Sequence, residues 1–340
     1  MIDQVYYVLP TVPPYRIAEM ARAQNAYPNL RFLLVDSSNV GKDFLDDLER
    51  DQCRSILILG GYRSRPFRHL ISTAKRLQIP TFLRTDSSLA HETQGLGRYS
   101  WPLKRLVFRS VAQRLTGVIP TGETNARLWA NVGVADRLTA AWPQGIDFER
   151  FSLPSERNQE GTRRFLLVAR LIRRKRIDLV VRAFNEYPHL DMTLEIVGDG
   201  PERQRLRSLA GSDARIGFRG ALTPDFVAAA MHRADFLLHP AGAGEPFGLV
   251  LVEAACAKLP VIVDPLAGAV PEVAEEGANA MFVPNPSPLA WGAAIRAAAT
   301  MPAKDLATMS DNASCIGSRY AQSANPTLWI SKTVPGARHG

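Results

Sequence analysis

Short runs of β-branched and aliphatic residues recur along the chain, separated by gaps of helix length. The first set is "VYYVLPTV", "RFLLVDS", "SILILGG", "PTFLRTDS", "LTGVIPTG" and "RLTAAWPQG". A second set follows: "RRFLLVARL", "TLEIVGDG", "ARIGFRGA", "ADFLLHP", "LPVIVDP" and "AMFVP". The runs are continuously apolar rather than alternating, as in parallel strands covered on both faces. Six strands and then six more predict an α/β protein of two doubly wound, Rossmann-like domains facing a cleft. The polar, turn-rich "LPSERNQEGTRR" reads as the connection between them. The expected division is an N-terminal Rossmann-like domain over 1–152, a linker over 153–164, a C-terminal Rossmann-like domain over 165–318, and a segment over 319–340 that crosses back. Ligands bind such sheets at the carboxyl ends of the strands, so chemistry-bearing residues are expected just after strands.

Composition sharpens this picture in two places. With 340 residues, 46% hydrophobic and 22% charged, the chain suits two soluble globular domains. The apolar runs are far shorter than a membrane span, and no N-terminal stretch has the layout of a signal peptide, so a cytoplasmic location is expected. Cys53, Cys256 and Cys315 are odd in number and scattered, which favours reduced thiols. The net charge of +8 is uneven: Gly60 to Leu115 carries eleven basic and two acidic residues, a net of +9, and the rest nets −1. The strand order fits no usual nucleic-acid module, so no nucleic-acid partner is expected.

Three stretches after strands carry candidate chemistry. In "VARLIRRKRIDLVVRAF", Arg170 and Lys175 stand beside a helix beginning near Ile177, where cations and free N–H groups make an anion site; a solvated basic turn is the alternative. In "IVGDGPERQRLRSLA", Gly198 and Gly200 allow a tight strand-to-helix turn, Asp199 can cap the helix, and Pro201 suits its first position. In "GEPFGLVLVEAACAKLPVIV", Glu245 lies in a loop and Glu253 about a turn inside an apolar helix starting near Leu249. Carboxylates among apolar groups need partners. They can accept paired sugar hydroxyls, act as a glycosidase acid and nucleophile, or, for Glu253, answer a buried arginine.

The spacing of Glu245 and Glu253 resembles the E-x7-E motif of glycosyltransferase family 4, retaining enzymes of GT-B fold that use nucleotide sugars. "RLIRRK", "GDGP", "QGIDFERF" and "AGAVPEVAEEG" resemble that family's other motifs, in order, over roughly Gly145 to Pro284. The resemblance implies that Glu253 accepts the ribose hydroxyls and that Glu245, with the backbone of Phe247, Gly248 and Leu249, holds the donor sugar. Arg170 and Lys175 would clamp the diphosphate and stabilise the charge that develops as it leaves. Phe218 and Gly220, in "FRGAL", would lie against the base, with Gly198 in the turn beside them. No cofactor and no metal are implied. Lys258 stands where relatives favour glycine.

The N-terminal half matches poorly. "LPTVPPYR", with Arg16, replaces a Gly-Gly loop, and "FLRTDSSLAH" places Arg84 and Asp86 near an expected histidine. Gly60 and Gly61 offer an open floor, so Arg16, Gly60, Gly61 and Arg84 are assigned to the acceptor side and Asp86 to orienting the acceptor. The expected activity is sugar transfer from a nucleotide-diphosphate sugar to an acceptor hydroxyl, in cell-envelope glycan or glycolipid synthesis. Transfer to a soluble acceptor, hydrolysis, and non-catalytic binding of a nucleotide sugar or polyanion are the alternatives. Helical spacing over Arg98 to Leu115 gathers Leu103, Leu106, Val107 and Val111 on one side and Arg98, Arg105 and Arg109 on another. An ordinary helix packed on its sheet is one reading. The other is a basic surface, with Arg63, Arg65, Arg68, Lys75 and Arg76, that holds a peripheral enzyme on the inner face of an anionic membrane beside a lipid-linked acceptor.

Overall fold

The computed structural model describes residues 2–152, 161–284, 287–335 and 337. The chain forms two compact units: Met1–Asp147 with Ser323–Gly340, and Phe148–Gln322. Residues 153–160 of the expected linker lie outside the described residues. Its last two residues, Arg163 and Arg164, already belong to a strand, because the buried Asp235 carboxylate accepts the Arg164 backbone N–H at 2.8 Å.

The first unit runs β1 (Gln4–Leu9), α1 (Pro14–Ala26), β2 (Arg31–Asp36), α2 (Lys42–Arg50), β3 (Ser55–Leu59), α3 (Arg65–Arg76), β4 (Thr81–Leu83), α4 (Leu89–Thr93), α5 (Gly97–Ala112), β5 (Gly117–Val118) and α6 (Glu123–Val132). Its five parallel strands are ordered β2-β1-β3-β4-β5. The expected sixth strand, "RLTAAWPQG", is absent, and only Leu138 bridges to Val118. The Thr139 N–H donates to Val118 O at 3.0 Å, but the next donor in a parallel ladder would be residue 120. That residue is Pro120, which has no N–H; its carbonyl still accepts the Trp142 N–H at 2.9 Å, but the ladder does not continue as a strand.

The second unit runs α7 (Phe148–Phe151), β6 (Arg163–Val168), α8 (Ile177–Asn185), β7 (Met192–Val197), α9 (Arg203–Ala210), β8 (Ile216–Gly220), α10 (Pro224–Arg233), β9 (Phe236–His239), α11 (Leu249–Cys256), β10 (Val261–Val263), α12 (Val270–Val273), β11 (Ala280–Phe282), α13 (Pro288–Ala299) and α14 (Ala303–Ser323). All six expected strands form, parallel and ordered β11-β10-β9-β6-β7-β8. The order reverses between β6 and β9, which opens a crevice at their carboxyl ends. Pro201 sits in a turn rather than in α9, which starts two residues later.

The last helix, α15 (Thr327–Thr333), belongs to the first unit. Its fully buried Trp329 stacks on Trp142 at 5.5 Å and meets Phe82 edge-on at 5.3 Å. The Trp329 indole N–H donates to Thr139 Oγ1 at 3.1 Å. Among the described residues no helix is long and apolar enough to cross a membrane.

Candidate functional site

The switch point of the second unit collects the predicted residues on two turns. One follows β6 and carries Arg170 and the 3-10 turn Arg173–Lys175; the other follows β9 and carries the 3-10 turn Gly242–Gly244, then Glu245. The two turns touch through backbone. A Cβ on Gly244 would lie 2.5 Å from the Arg174 carbonyl oxygen, so only glycine lets them meet. That approach brings Lys175 onto Glu245, whose Oε2 accepts a hydrogen bond from Nζ. Gly268 holds the Glu245 loop from the other side: its N–H donates to Glu245 O at 3.1 Å, and an added Cβ would fall 1.9 Å from Pro246 O. Gly198, at φ +130°, does the same one strand over, where a Cβ would meet Ala169 O at 1.9 Å.

Two acids and one imidazole differ sharply in electrostatic setting. Glu245 is neutralised by Lys175 and lies 3.7 Å from His239 Nε2. His239 is a site residue that the sequence motifs do not reveal. It ends β9, is buried, and its Nε2 has no hydrogen-bond partner. Burial lowers its pKa to about 4, Glu245 opposing and Lys175 assisting, so the ring is neutral at physiological pH. Glu253 projects from α11 with no hydrogen-bond donor among the described residues. Burial raises its pKa to about 7, and the nearby charge of Arg150 only partly offsets this. Glu253 is half-buried, so its carboxyl is partly desolvated yet open to a donor from outside the fold.

The remaining donor-side residues are placed as follows. Arg170 is exposed and makes no ion pair among the described residues. The Phe247 side chain is buried, and its carbonyl accepts the Ala269 N–H at 2.6 Å. Gly248, at φ +100°, precedes α11, whose first N–H groups, from Leu249 onward, lack intrahelical acceptors. Phe218 is half-buried on β8, with the Arg207 guanidinium 5.7 Å from its ring centroid. Gly220 accepts the Gly198 N–H at 2.7 Å, tying these two turns together. Lys258 ends α11 at φ +58°, a left-handed conformation that glycine adopts more easily.

In the first unit, a cavity of about 320 Å³ lies at the carboxyl ends of β1, β3 and β4. Gly60, Gly61 and the exposed Asp86 line it, as does Trp129, whose buried indole N–H has no partner. Glu92, also in its wall, accepts from Ser87 Oγ at 2.7 Å and Lys104 Nζ at 3.0 Å. Burial works to raise its pKa, but these bonds and the Lys104 and Arg63 charges outweigh it and hold Glu92 ionised. Arg16 and Arg84 correct the acceptor-side assignment. Both are buried in a network around Glu19 of α1: Arg16 pairs with Glu19 and Gln144, and Arg84 donates to Tyr7 Oη at 2.9 Å and the Trp142 and Pro143 carbonyls at 2.9 and 2.8 Å. They hold the chain after β5 against β1 and line neither this cavity nor the others described.

The α5 face is also reversed from the packed-helix expectation. Phe108 and Ala112 are buried and Trp101 half-buried, while Leu103 and Leu106 are 69% and 65% exposed. Aromatic partners decide the rotation: Phe108 meets Tyr62 and Trp129 at 5.5 Å and Trp101 at 6.0 Å.

Known proteins share this architecture. An uncharacterised glycosyltransferase of Methanocaldococcus jannaschii is 27% identical over 216 residues, 61% of this chain and 54% of that protein; the match spans about half of the relative's length. Anabaena HepE, solved with UDP and glucose, superposes with a TM-score of 0.70 at 15% identity over 97% of this chain and 99% of its own. Sucrose-phosphate synthase from Thermosynechococcus elongatus gives 0.73 at 17% identity over 99% and 100%. Both sheets and their helices thus follow the GT-B glycosyltransferase fold, and residues 149–314, which hold the switch-point site, match the family of glycosyl transferases group 1.

Proposed function

We propose that this protein is a retaining, metal-independent glycosyltransferase that moves a sugar from a nucleoside-diphosphate sugar to an acceptor hydroxyl. The observation that carries this reading is Glu253: a carboxyl with no hydrogen-bond donor among the described residues, on the helix that follows the switch-point strand β9, in the unit whose β6 turn carries the cations Arg170 and Lys175. A ribose diol supplies the two missing donors, and a diphosphate supplies the anion those cations await. Glu245, with the backbone of Phe247, Gly248 and Leu249, holds the donor sugar, and Phe218 and Gly220 lie beside the base.

In a front-face transfer, the bond from the anomeric carbon to the diphosphate oxygen breaks as the acceptor oxygen bonds to the same face. The acceptor proton passes to the departing phosphate oxygen, so no strong protein base is needed. Arg170 and Lys175 stabilise the charge gathering on the diphosphate. Lys175 must first exchange Glu245 for phosphate, which frees Glu245 for sugar hydroxyls while neutral His239 stays beside it. Asp86 orients the acceptor in the first unit's cavity. The basic surface around α5 suits a peripheral enzyme of the inner membrane face that builds envelope glycans or glycolipids. The uridine nucleotide held by Anabaena HepE supports a nucleotide-sugar donor for this chain.

The test is thermal stabilisation by a panel of nucleoside diphosphates in the presence of a chelator. A rise in Tm that survives chelation is expected. No rise with any nucleotide would refute the donor reading, and a rise abolished by chelation would refute metal independence.

A further inference from the structure

The exposed apolar side of α5 is one wall of a second cavity, of about 730 Å³, whose other wall is α3 with Ile71 and Ser72. Leu103, Leu106, Val107 and Val111 supply its apolar lining from α5. A volume of this size is typical of a site for a small organic ligand. Four cations also line it, Arg63, Arg68, Lys104 and Arg114, and no lining residue is acidic. Lys104 is held by Glu92, and the Arg63 Nε–H donates to Tyr62 Oη at 3.1 Å; neither contact removes the positive excess. An apolar trough with a cationic lining complements an amphiphile with one long chain and a negative head.

The trough adjoins the polar cavity of the same unit. Tyr62, Arg63 and Phe108 line both, their rings meeting at 5.5 Å as a shared partition. A chain lying along α5 therefore places a head group near Arg63 at the edge of the cavity that holds Gly60, Gly61 and Asp86.

We propose that the groove between α3 and α5 binds the hydrocarbon chain of an anionic lipid acceptor, with Arg63 at its head group and the reacting hydroxyl directed into the Asp86 cavity. This rests on the reading of that cavity as the acceptor side of a glycosyltransferase. The groove takes one chain out of the lipid phase, a more specific role than contact with a bilayer surface.

Calorimetric titration of the full chain with monomeric alkyl phosphates, below their micelle concentrations, tests it. Hexyl, octyl and decyl phosphate should bind one per chain, tightening by up to about fourfold per added methylene. Inorganic phosphate and an uncharged alkyl maltoside should bind at least tenfold more weakly than decyl phosphate. Leu106→Glu, at an exposed position, should fold normally and lose affinity for decyl phosphate tenfold or more. Equal affinity for inorganic and decyl phosphate would overturn the proposal, as would an unaffected Leu106→Glu variant. Binding to phosphatidylglycerol vesicles without binding of any monomeric alkyl phosphate would also overturn it, and would assign the stripe to a bilayer surface. Nucleoside-diphosphate stabilisation of the same samples separates the two readings. Lost amphiphile binding with nucleotide binding intact counts against the groove alone, and the reverse counts against the transferase reading alone.

Discussion

Replacing Glu253 by glutamine tests whether an unanswered carboxyl is the nucleotide anchor. Its pKa of about 7, against an ordinary 4.5, is a difference of about 3 kcal/mol opposing the ionised form in the free fold. Between about pH 4.5 and 7 the folded chain keeps a proton that the unfolded chain has lost, so stability falls as pH rises through that window. The full penalty is present above pH 7. Glu253→Gln has no such penalty. Without ligand it should be up to about 3 kcal/mol more stable than the parent at pH 8, with the difference vanishing near pH 4.5. Binding should show the converse. Ribose hydroxyls donate to the ionised carboxylate, so nucleoside-diphosphate affinity of the parent should fall about tenfold per pH unit below 7, and about a hundredfold by pH 5. Phosphate titration affects parent and variant alike, so the ratio of their affinities isolates the carboxyl. Urea denaturation and calorimetric titration at pH 5, 6, 7 and 8 measure both quantities. An affinity ratio that stays flat across this range would refute the assignment, whatever the stability curves show.

Three further outcomes are expected. If Glu245 holds the transferred sugar as proposed, Glu245→Ala should lower turnover by about a hundredfold or more while leaving nucleoside-diphosphate affinity within about threefold; equal loss of affinity in Glu245→Ala and Glu253→Ala would contradict that division. Gly268→Ala drives a Cβ to 1.9 Å from Pro246 O, and should cost about 2–3 kcal/mol in denaturation and weaken donor binding; a variant indistinguishable from the parent would refute the close approach. Trp329→Ala should cost about 3–5 kcal/mol, because a fully buried indole stacked on Trp142 is lost, and a loss below about 1 kcal/mol on chemical denaturation would show that α15 contributes little to the first unit.

The legible parts of this chain are those whose signals are local. Each strand of the second unit is a compact apolar run with turn residues at its end, and Glu245, Gly248 and Glu253 sit in one continuous stretch. What was not legible depends on partners distant in sequence. Periodicity predicts a helix over residues 98–115 with two candidate faces; the helix ends at Ala112, and Tyr62 and Trp129 decide which face is covered. His239 looks like one more residue of a strand until the fold sets Glu245 beside it. Arg16 and Arg84 were assigned by their place after strands, whereas the informative residue was Glu19, an acid one turn along α1 that demands buried cations. The missing strand coincides with an absent N–H at Pro120, a detail that apolar patterning does not weigh.

The joints at Gly198, Gly244 and Gly268 join main chain to main chain. Loops that meet in this way owe their course largely to backbone, although Lys175 and Glu245 also pair across one of these joints. The turns can therefore change the side chains they display without redesign of the frame. Random substitution should then divide cleanly: these glycine positions tolerate no side chain, whereas an exposed neighbour such as Leu266 varies at little structural risk.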